Sequence, residues 1–263
     1  MNEHWIAVVM GLVEGFTEFL PVSSTGHLIL VGHLLGFDGE TAKLFEVFIQ
    51  LGAILAVVTM YTRTFAELFS EPSGPGFSGY NGILFLGLTT LPAVVVGRAS
   101  HAAIKAHLFG PDTVAVGLAA GAVWILVAER LHSDRPAVGL SAMTWRMALG
   151  IGLFQCLALW PGMSRSTCTI LGAMMLGLDR ASAVKYSFFA AVPVMTLAVA
   201  YDLLKNASLL TAETIPWFAI GFIVAYLSAA AAIRFFLHWI SRHGLAPFAW
   251  YRLAVAAAVW LLL

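Results

Sequence analysis

The sequence predicts an all-α polytopic membrane protein, with six transmembrane helices and two re-entrant helical hairpins arranged as an inverted repeat. Of its 263 residues, 60% are hydrophobic and only 11% are charged, whereas a soluble domain is about 25% charged. A chain this apolar cannot cover itself with polar surface, so membrane lipids are its expected surroundings. The formal net charge of zero gives no reason to expect nucleic acid as a partner.

The spanning helices are predicted from apolar stretches of about 20 residues, the length needed to cross a bilayer. Six stretches roughly meet this requirement: residues 43–62, 82–98, 112–128, 183–204, 216–237 and 247–263. Four others are too short or too polar to cross alone: residues 5–20, 24–36, 146–160 and 166–178. Short apolar runs favour re-entrant segments. We therefore expect them to pair around Pro21 and Pro161 into two hairpins that enter the membrane and return.

The two predicted hairpins resemble each other in sequence. The first reads G-L-V-E-G-F-T-E-F-L-P-V-S-S from Gly11, and the second reads G-L-F-Q-C-L-A-L-W-P-G-M-S from Gly152. Gly-Leu opens both segments, and Ser24 and Ser164 each follow a proline by three residues, with a gap of one residue in the alignment. This similarity predicts an internal repeat.

The repeat divides a single membrane domain, residues 1–263, into two halves of about 1–130 and 145–263. Each half contains one hairpin and three spans. Because an odd number of spans reverses the direction of the chain, the second half is expected to be inverted, as in many transport proteins.

The distribution of lysine and arginine predicts the orientation, because these residues are enriched on the cytoplasmic side. One side is expected to hold eight of them: Arg63, Arg130, Arg135, Arg146, Arg180, Lys185, Arg234 and Arg242, with Arg252 just inside the last span. The side with both termini holds four: Lys43, Arg98, Lys105 and Lys205. The first side is therefore predicted to be cytoplasmic, and both termini to face outward.

Two Gly-x-x-x-Gly spacings, Gly11 to Gly15 and Gly117 to Gly121, indicate close packing of helices. The same spacing occurs in dimers of transmembrane helices, so a homodimer is a weaker expectation.

Polar residues inside a membrane are costly and mark functional sites, and here they cluster at the hairpin tips. Glu14 and Glu18 are four apart and share a helix face. Others follow the prolines: Ser23, Ser24, Thr25 and His27 in the first hairpin, and Ser164, Arg165, Ser166 and Thr169 in the second. Helices that begin there present free N–H groups and a positive dipole end, which bind phosphate well. With the guanidinium of Arg165, they predict an anion site for an ion in transit or a lipid head group.

The same residues also have structural explanations, which the sequence leaves open. Ser24 and Ser164 are suited to be helix N-caps, and His27 to be a hydrogen-bonded core residue. Glu14 and Glu18 are suited to pair with the arginine only to hold the fold.

A resemblance to a known family is carried by three segments: V-E-G-F-T-E-F-L-P-V-S-S-T-G-H-L from Val13 to Leu28, F-E-V-F-I-Q-L-G from Phe45 to Gly52, and C-L-A-L-W-P-G-M-S-R-S-T from Cys156 to Thr167. The first and third resemble the E-x-x-x-E and P-G-x-S-R-S signatures of the bacterial undecaprenyl-diphosphate phosphatase family, membrane enzymes associated with bacitracin resistance. The resemblance extends along nearly the whole chain.

This resemblance implies removal of the terminal phosphate of undecaprenyl diphosphate, which regenerates the lipid carrier for cell-wall polymer synthesis. It also implies a place in the bacterial cytoplasmic (inner) membrane, an active site open to the periplasmic face, and a divalent cation, Mg²⁺ or Ca²⁺. The family motifs place catalytic function at Glu14, Glu18, Ser24, His27 and Arg165. Glu14 and Glu18 are the expected metal ligands, because a cation would relieve their repulsion of the diphosphate. The alternative is that one of the two glutamates stays protonated, as burial favours. The expected phosphate-binding residues are Ser23, Thr25, Ser164, Arg165, Ser166 and Thr169.

The attacking group is predicted to be Ser24, with His27 one turn further on as its base. Two alternatives stay open: His27 as the nucleophile, giving a phosphohistidine, and direct attack by metal-bound water.

Two other functions are also compatible with these sequence features. A secondary transporter or lipid flippase would share the inverted repeat, the broken helices and the midplane polar site. A structural membrane protein would need no ionisable groups at the hairpin tips. A serine near a histidine and a carboxylate favours hydrolysis, because a transporter needs no activated nucleophile.

Overall fold

The computed structural model describes residues 3–108, 110–132 and 137–262. Within them the chain forms eleven α-helices. In order these are α1 Glu3–Thr17, α2 Ser24–Leu35, α3 Glu40–Met60, α4 Thr62–Glu67, α5 Gly79–His107, α6 Pro111–His132, α7 Trp145–Gln155, α8 Arg165–Met175, α9 Arg180–Lys205, α10 Ile215–Ile240 and α11 Ala246–Leu262. Arg135, one of the arginines in the charge count, and Leu263, the end of the last predicted span, lie outside the described residues.

The long helices make this a multi-pass membrane protein. Among the described residues, five helices are long and apolar enough to cross a bilayer, and each coincides with one of the first five predicted spans. The sixth predicted span, 247–263, forms α11, which has 17 residues and is therefore about 26 Å long at 1.5 Å per residue. It is shorter than the roughly 20 residues of an ordinary span.

Four shorter helices occupy the predicted hairpins. α1 packs against α2, and α7 packs against α8. The first pair is interrupted between Thr17 and Ser24, and the second between Gln155 and Arg165, where a short 3-10 helix, Cys156–Leu159, precedes the break. With 11 to 15 residues each, these helices are too short to cross a bilayer alone.

Glycines allow the hairpin helices to lie very close to their neighbours. A Cβ added at Gly15 of α1 would lie 2.0 Å from Ser228 Oγ of α10, and one added at Gly152 of α7 would lie 2.7 Å from Thr89 O of α5. Gly117 of α6 is equally close to the second break, where a Cβ would lie 2.3 Å from Pro161 O.

The prediction of close packing at the Gly-x-x-x-Gly spacings is thus confirmed within the chain. A homodimer stays a prediction, and it would need a surface other than these covered faces.

Candidate active site

The two hairpin breaks share an uncommon backbone conformation at one serine each. Ser23 has a φ of 73° and Ser164 a φ of 72°, and they are the two non-glycine residues with positive φ in the described part of the chain. Such conformations cost about 1–3 kcal/mol and concentrate at functional sites. Both serines are N-caps, since Ser23 Oγ accepts from Gly26 N at 3.4 Å and Ser164 Oγ accepts from Thr167 N at 3.3 Å.

Ser23 is therefore the structural counterpart of Ser164, whereas the sequence alignment paired Ser164 with Ser24. Because Ser23 caps α2, the hydroxyl of Ser24, the first residue of that helix, is left for another partner.

Ser24, Glu18 and Arg165 form a continuous polar chain between the two breaks. The Ser24 hydroxyl donates to Glu18 Oε2 at 2.5 Å, and Arg165 Nη2 lies 2.9 Å from Glu18 Oε1. Glu18 and Arg165 are both largely shielded, with side chains 7% and 13% exposed, so their ion pair is poorly screened by solvent. The carboxylate thus holds the serine with one oxygen and the guanidinium with the other.

Arg165 is oriented by further contacts with α9 and with the first break. Its Nη1 donates to Ser187 O at 2.9 Å and to Ser187 Oγ at 3.3 Å, and the guanidinium carbon lies 5.7 Å from the ring centroid of Phe19. Its Nε has no partner among the described residues. The guanidinium is therefore fixed in place while one donor remains unused.

A cavity of about 280 Å³ opens beside Ser24, Glu18 and Arg165. Its volume is close to the lower limit for ordinary ligand pockets, about 300 Å³. Its walls come from both breaks and from α3 and α9: Glu18, Ser23, Ser24, Thr25, Gln50, Ala158, Pro161, Gly162, Ser164, Arg165, Met195 and Ala198. α2 and α8 begin at Ser24 and Arg165, so the N-termini of two helices meet at one polar cavity, where a negative ligand is favoured.

The predicted phosphate-binding residues divide into two groups. Ser23, Thr25, Ser164 and Arg165 line the cavity. Ser166 and Thr169 lie behind it, where Thr169 Oγ1 donates to Arg165 O at 2.9 Å and contacts Ser187 Oγ at 2.7 Å. Their contacts support the helix that carries the arginine, and phosphate binding by these two residues stays a prediction.

Ser166 also joins the breaks directly, because its hydroxyl donates to Leu20 O at 2.8 Å. A second connection comes from Arg252 on α11, which is fully buried. Arg252 donates to Pro21 O at 3.3 Å in the first break and to Gly162 O at 2.8 Å in the second. It makes four further contacts, with Met163 O, Thr167 Oγ1, Gly117 O and Leu118 O.

Sequence reasoning missed this role of Arg252 and included it only in the charge count. An arginine inside an apolar span was itself a signal, because intramembrane charges are costly and usually have partners.

Both ring nitrogens of His27 have partners other than the Ser24 hydroxyl. Its Nδ1 is 2.8 Å from Ser23 O, and its Nε2 is 2.7 Å from the hydroxyl of Tyr251 on α11. The expected hydrogen bond between Ser24 and His27 is thus replaced by one between Ser24 and Glu18. Helical side chains point towards the N-terminus of their helix, which takes the ring back to the carbonyl one turn earlier. A catalytic role for His27 stays a prediction.

Glu14 is fully buried, and neither of its carboxylate oxygens has a partner among the described residues. The Glu14 carboxyl group interacts electrostatically with Glu18, Glu46 and Arg165. The described residues contain no cluster of three or more histidine, cysteine or acidic side chains suited to hold a metal. A Mg²⁺ ion bound through one or two carboxylates and substrate phosphates needs no such cluster. Glu14 does not line the cavity, whereas Glu18 does, so metal binding by Glu14 and Glu18 stays a prediction.

Comparisons with known proteins identify the family of this chain. Residues 7–258 match the family model described as "Bacitracin resistance protein BacA". The chain is 54% identical over 261 residues to an undecaprenyl-diphosphatase of Nitratidesulfovibrio vulgaris strain DP4, covering 99% of this chain and 98% of the relative. It is 53% identical over 259 residues to an undecaprenyl-diphosphatase of Maridesulfovibrio salexigens, covering 98% of each chain. On a match that spans nearly its whole length, the chain belongs to the bacitracin resistance protein BacA family.

Proposed function

We propose that this protein hydrolyses undecaprenyl diphosphate to undecaprenyl phosphate and inorganic phosphate, and so returns the lipid carrier to cell-wall polymer synthesis and confers resistance to bacitracin. The observation that carries the proposal is the chain Ser24–Glu18–Arg165 at a cavity where two helices begin. It joins a hydroxyl, a carboxylate and a guanidinium beside an anion site. The family and the names of the relatives support the same activity.

Binding of the diphosphate relies on fixed positive groups. The N-termini of α2 and α8 offer backbone N–H groups and positive dipole ends, and Arg165 adds a permanent positive charge at the cavity wall. Phosphoryl transfer depends mainly on positioning and charge stabilisation, and this cavity has the groups for both.

Ser24 is the proposed nucleophile. Its oxygen forms a bond to the terminal phosphorus, and the bond from that phosphorus to the bridging oxygen breaks, which releases undecaprenyl phosphate. Glu18, 2.5 Å away, accepts the serine proton. Water then cleaves the phosphoserine, releasing phosphate and restoring the hydroxyl.

The base expected from the sequence was His27. Glu18 is proposed in its place because the Ser24 hydroxyl donates to Glu18. Attack by His27 or by water leaves different chemical traces. A phosphoserine is stable in acid and labile in base, whereas a phosphohistidine is labile in acid. Acid-stable label on Ser24 after rapid quenching would support the serine, and acid-labile label would support His27. Turnover by Ser24→Ala at the wild-type rate would overturn covalent catalysis by Ser24.

A divalent cation, Mg²⁺ or Ca²⁺, is part of the proposal, with Glu14 as its expected protein ligand and Glu18 as a second. When bound, the cation would neutralise charge on the diphosphate. Both oxygens of Glu14 lack partners among the described residues, but Glu14 lies behind the cavity wall. Glu18 lines the cavity, and each of its oxygens already has a partner.

The proposed membrane arrangement has α11 as a sixth span and the pairs α1–α2 and α7–α8 as re-entrant hairpins, with about 1–130 and 145–263 as inverted halves. The packing of the helices supports it. α1 packs on α10 while α7 packs on α5, and α3 and α9 pack on α10 and α5 respectively. The two hairpins thus each lie against a long helix of the other half.

The proposed location is the bacterial cytoplasmic membrane, with the cavity open to the periplasmic side. The predicted charge count, with eight lysines and arginines on one side of the membrane and four on the side of the termini, supports this orientation.

Phosphate release by the purified protein tests the function against its main rival, a lipid transporter or flippase. Undecaprenyl diphosphate in mixed micelles should yield equal amounts of inorganic phosphate and undecaprenyl phosphate, and Ser24→Ala should lose this activity. Ser241→Ala, at an exposed serine that follows α10, serves as the matched control. Movement of the lipid across a bilayer without phosphate release would instead support the transporter.

A further inference from the structure

Tyr251 connects His27, near the start of α2, with a groove that is separate from the polar cavity. It is on α11, is 48% exposed, and lines an apolar groove of about 330 Å³ between α1, α10 and α11. Its hydroxyl reaches inward to His27 Nε2 at 2.7 Å, and the two rings are stacked, with centroids 5.5 Å apart and planes at 12°. One face of Tyr251 therefore meets the apolar groove, while its hydroxyl reaches the histidine.

The second nitrogen of His27 determines which way the proton lies. His27 Nδ1 is 2.8 Å from Ser23 O, and a carbonyl oxygen can only accept a hydrogen bond. Nδ1 therefore carries a hydrogen. In the neutral ring Nε2 then has none, so it accepts the hydrogen bond that Tyr251 donates.

These two hydrogen bonds connect Tyr251, through His27, to Ser23, the strained residue of the first break. Ser23 has a φ of 73°, and its conformation sets the direction of the next residue, Ser24, whose hydroxyl donates to Glu18. Since strained conformations persist only where surrounding contacts hold them, the hydrogen bond from His27 to Ser23 O is one of the contacts that hold the turn.

We infer that Tyr251 is a positioning residue: it fixes His27 in the form protonated on Nδ1, and His27 in turn holds the Ser23 carbonyl so that the Ser24 hydroxyl points into the cavity. This inference rests on the proposed function for its consequence in turnover, but not for the contact itself. Tyr251 does not line the cavity, so its loss should slow the chemical step and leave substrate binding nearly unchanged.

Tyr251→Phe keeps the stacked ring and removes only the hydroxyl. We expect kcat for undecaprenyl diphosphate to fall about 5- to 30-fold, which corresponds to about 1–2 kcal/mol at roughly 1.4 kcal/mol per tenfold, with KM within about twofold. Tyr201→Phe, at another half-exposed tyrosine on α9, is the matched control and should keep the wild-type kcat.

A second readout needs no activity. In protein labelled with ¹⁵N-histidine, the His27 signal, assigned by its absence in His27→Asn, should show hydrogen on Nδ1 and a bare Nε2. In Tyr251→Phe the form protonated on Nε2 should become populated, a change that a purely structural role for the tyrosine would not produce.

Two results would overturn the inference: a wild-type His27 protonated on Nε2, or a Tyr251→Phe protein with kcat within twofold of wild type. A wild-type protein that releases no phosphate would refute the proposed function instead, and the nitrogen spectrum would still decide whether the contact exists.

Discussion

Replacing Arg252 by methionine should destabilise the protein, because this side chain joins both helix breaks to α6 and α11. The guanidinium is fully buried and donates to five backbone carbonyls and one hydroxyl. Methionine fills a similar volume but donates no hydrogen bond.

The expected magnitude follows from the acceptors that lose their donor. Three of them, Pro21 O, Gly162 O and Met163 O, lie at the breaks, outside the helices. A buried carbonyl left without a partner costs about 1–3 kcal/mol, so three would cost roughly 3–9 kcal/mol. Relief from burying a charge offsets part of this, and removing one member of a buried charged network typically costs about 3–5 kcal/mol. We therefore expect a loss of about 3–5 kcal/mol.

The free energy of unfolding can be measured by titration with SDS in mild detergent micelles, followed by tryptophan fluorescence. Arg234→Met, at an exposed arginine of α10, is the matched control and should change stability by less than about 0.5 kcal/mol. A loss below about 1 kcal/mol in Arg252→Met would refute the idea that this residue holds the two breaks together.

Three further substitutions test other parts of the account. Arg165→Lys should lower kcat/KM in the phosphate-release assay about 100-fold or more, because a point charge cannot replace the two-pronged guanidinium; near-normal activity would exclude direct phosphate contact. Glu18→Gln should lower kcat about 100-fold or more, through loss of the base, and should change the response to added divalent cation; an unchanged titration would show that Glu18 is no metal ligand. Gly15→Ala should destabilise the protein by about 1–3 kcal/mol in SDS titration, because its Cβ would lie 2.0 Å from Ser228 Oγ. Gly87→Ala, where nothing lies within 4 Å, should not, and equal stability of both variants would contradict the packing of α1 on α10.

Much of the fold could be predicted from composition and helix-breaking residues. Apolar stretches of sufficient length located the five long helices, because a bilayer imposes that length. Pro21 and Pro161 located both breaks, because proline interrupts the backbone hydrogen bonds of a helix. The sixth predicted span, 247–263, corresponds to the shorter helix α11, Ala246–Leu262.

The candidate site was harder to predict, because it depends on contacts between distant segments. Glu18 and Arg165 are 147 positions apart, and their pairing was only one of several explanations that the sequence left open. Sequence spacing suggested a contact between Ser24 and His27, but His27 contacts Tyr251, 224 positions away. Local periodicity carries no information on such a partner. A stricter application of the cost of intramembrane charge would have drawn attention to Arg252.

A single-turnover experiment tests whether this protein hydrolyses undecaprenyl diphosphate through Ser24. Excess purified protein is mixed with undecaprenyl diphosphate labelled in its terminal phosphate, quenched rapidly, and analysed for lipid and phosphate. We expect one undecaprenyl phosphate for each diphosphate consumed, with the label passing through Ser24 to inorganic phosphate. Ser24→Ala should fold normally and convert no diphosphate. Recovery of intact diphosphate from folded wild-type protein supplied with Mg²⁺ or Ca²⁺ would contradict it.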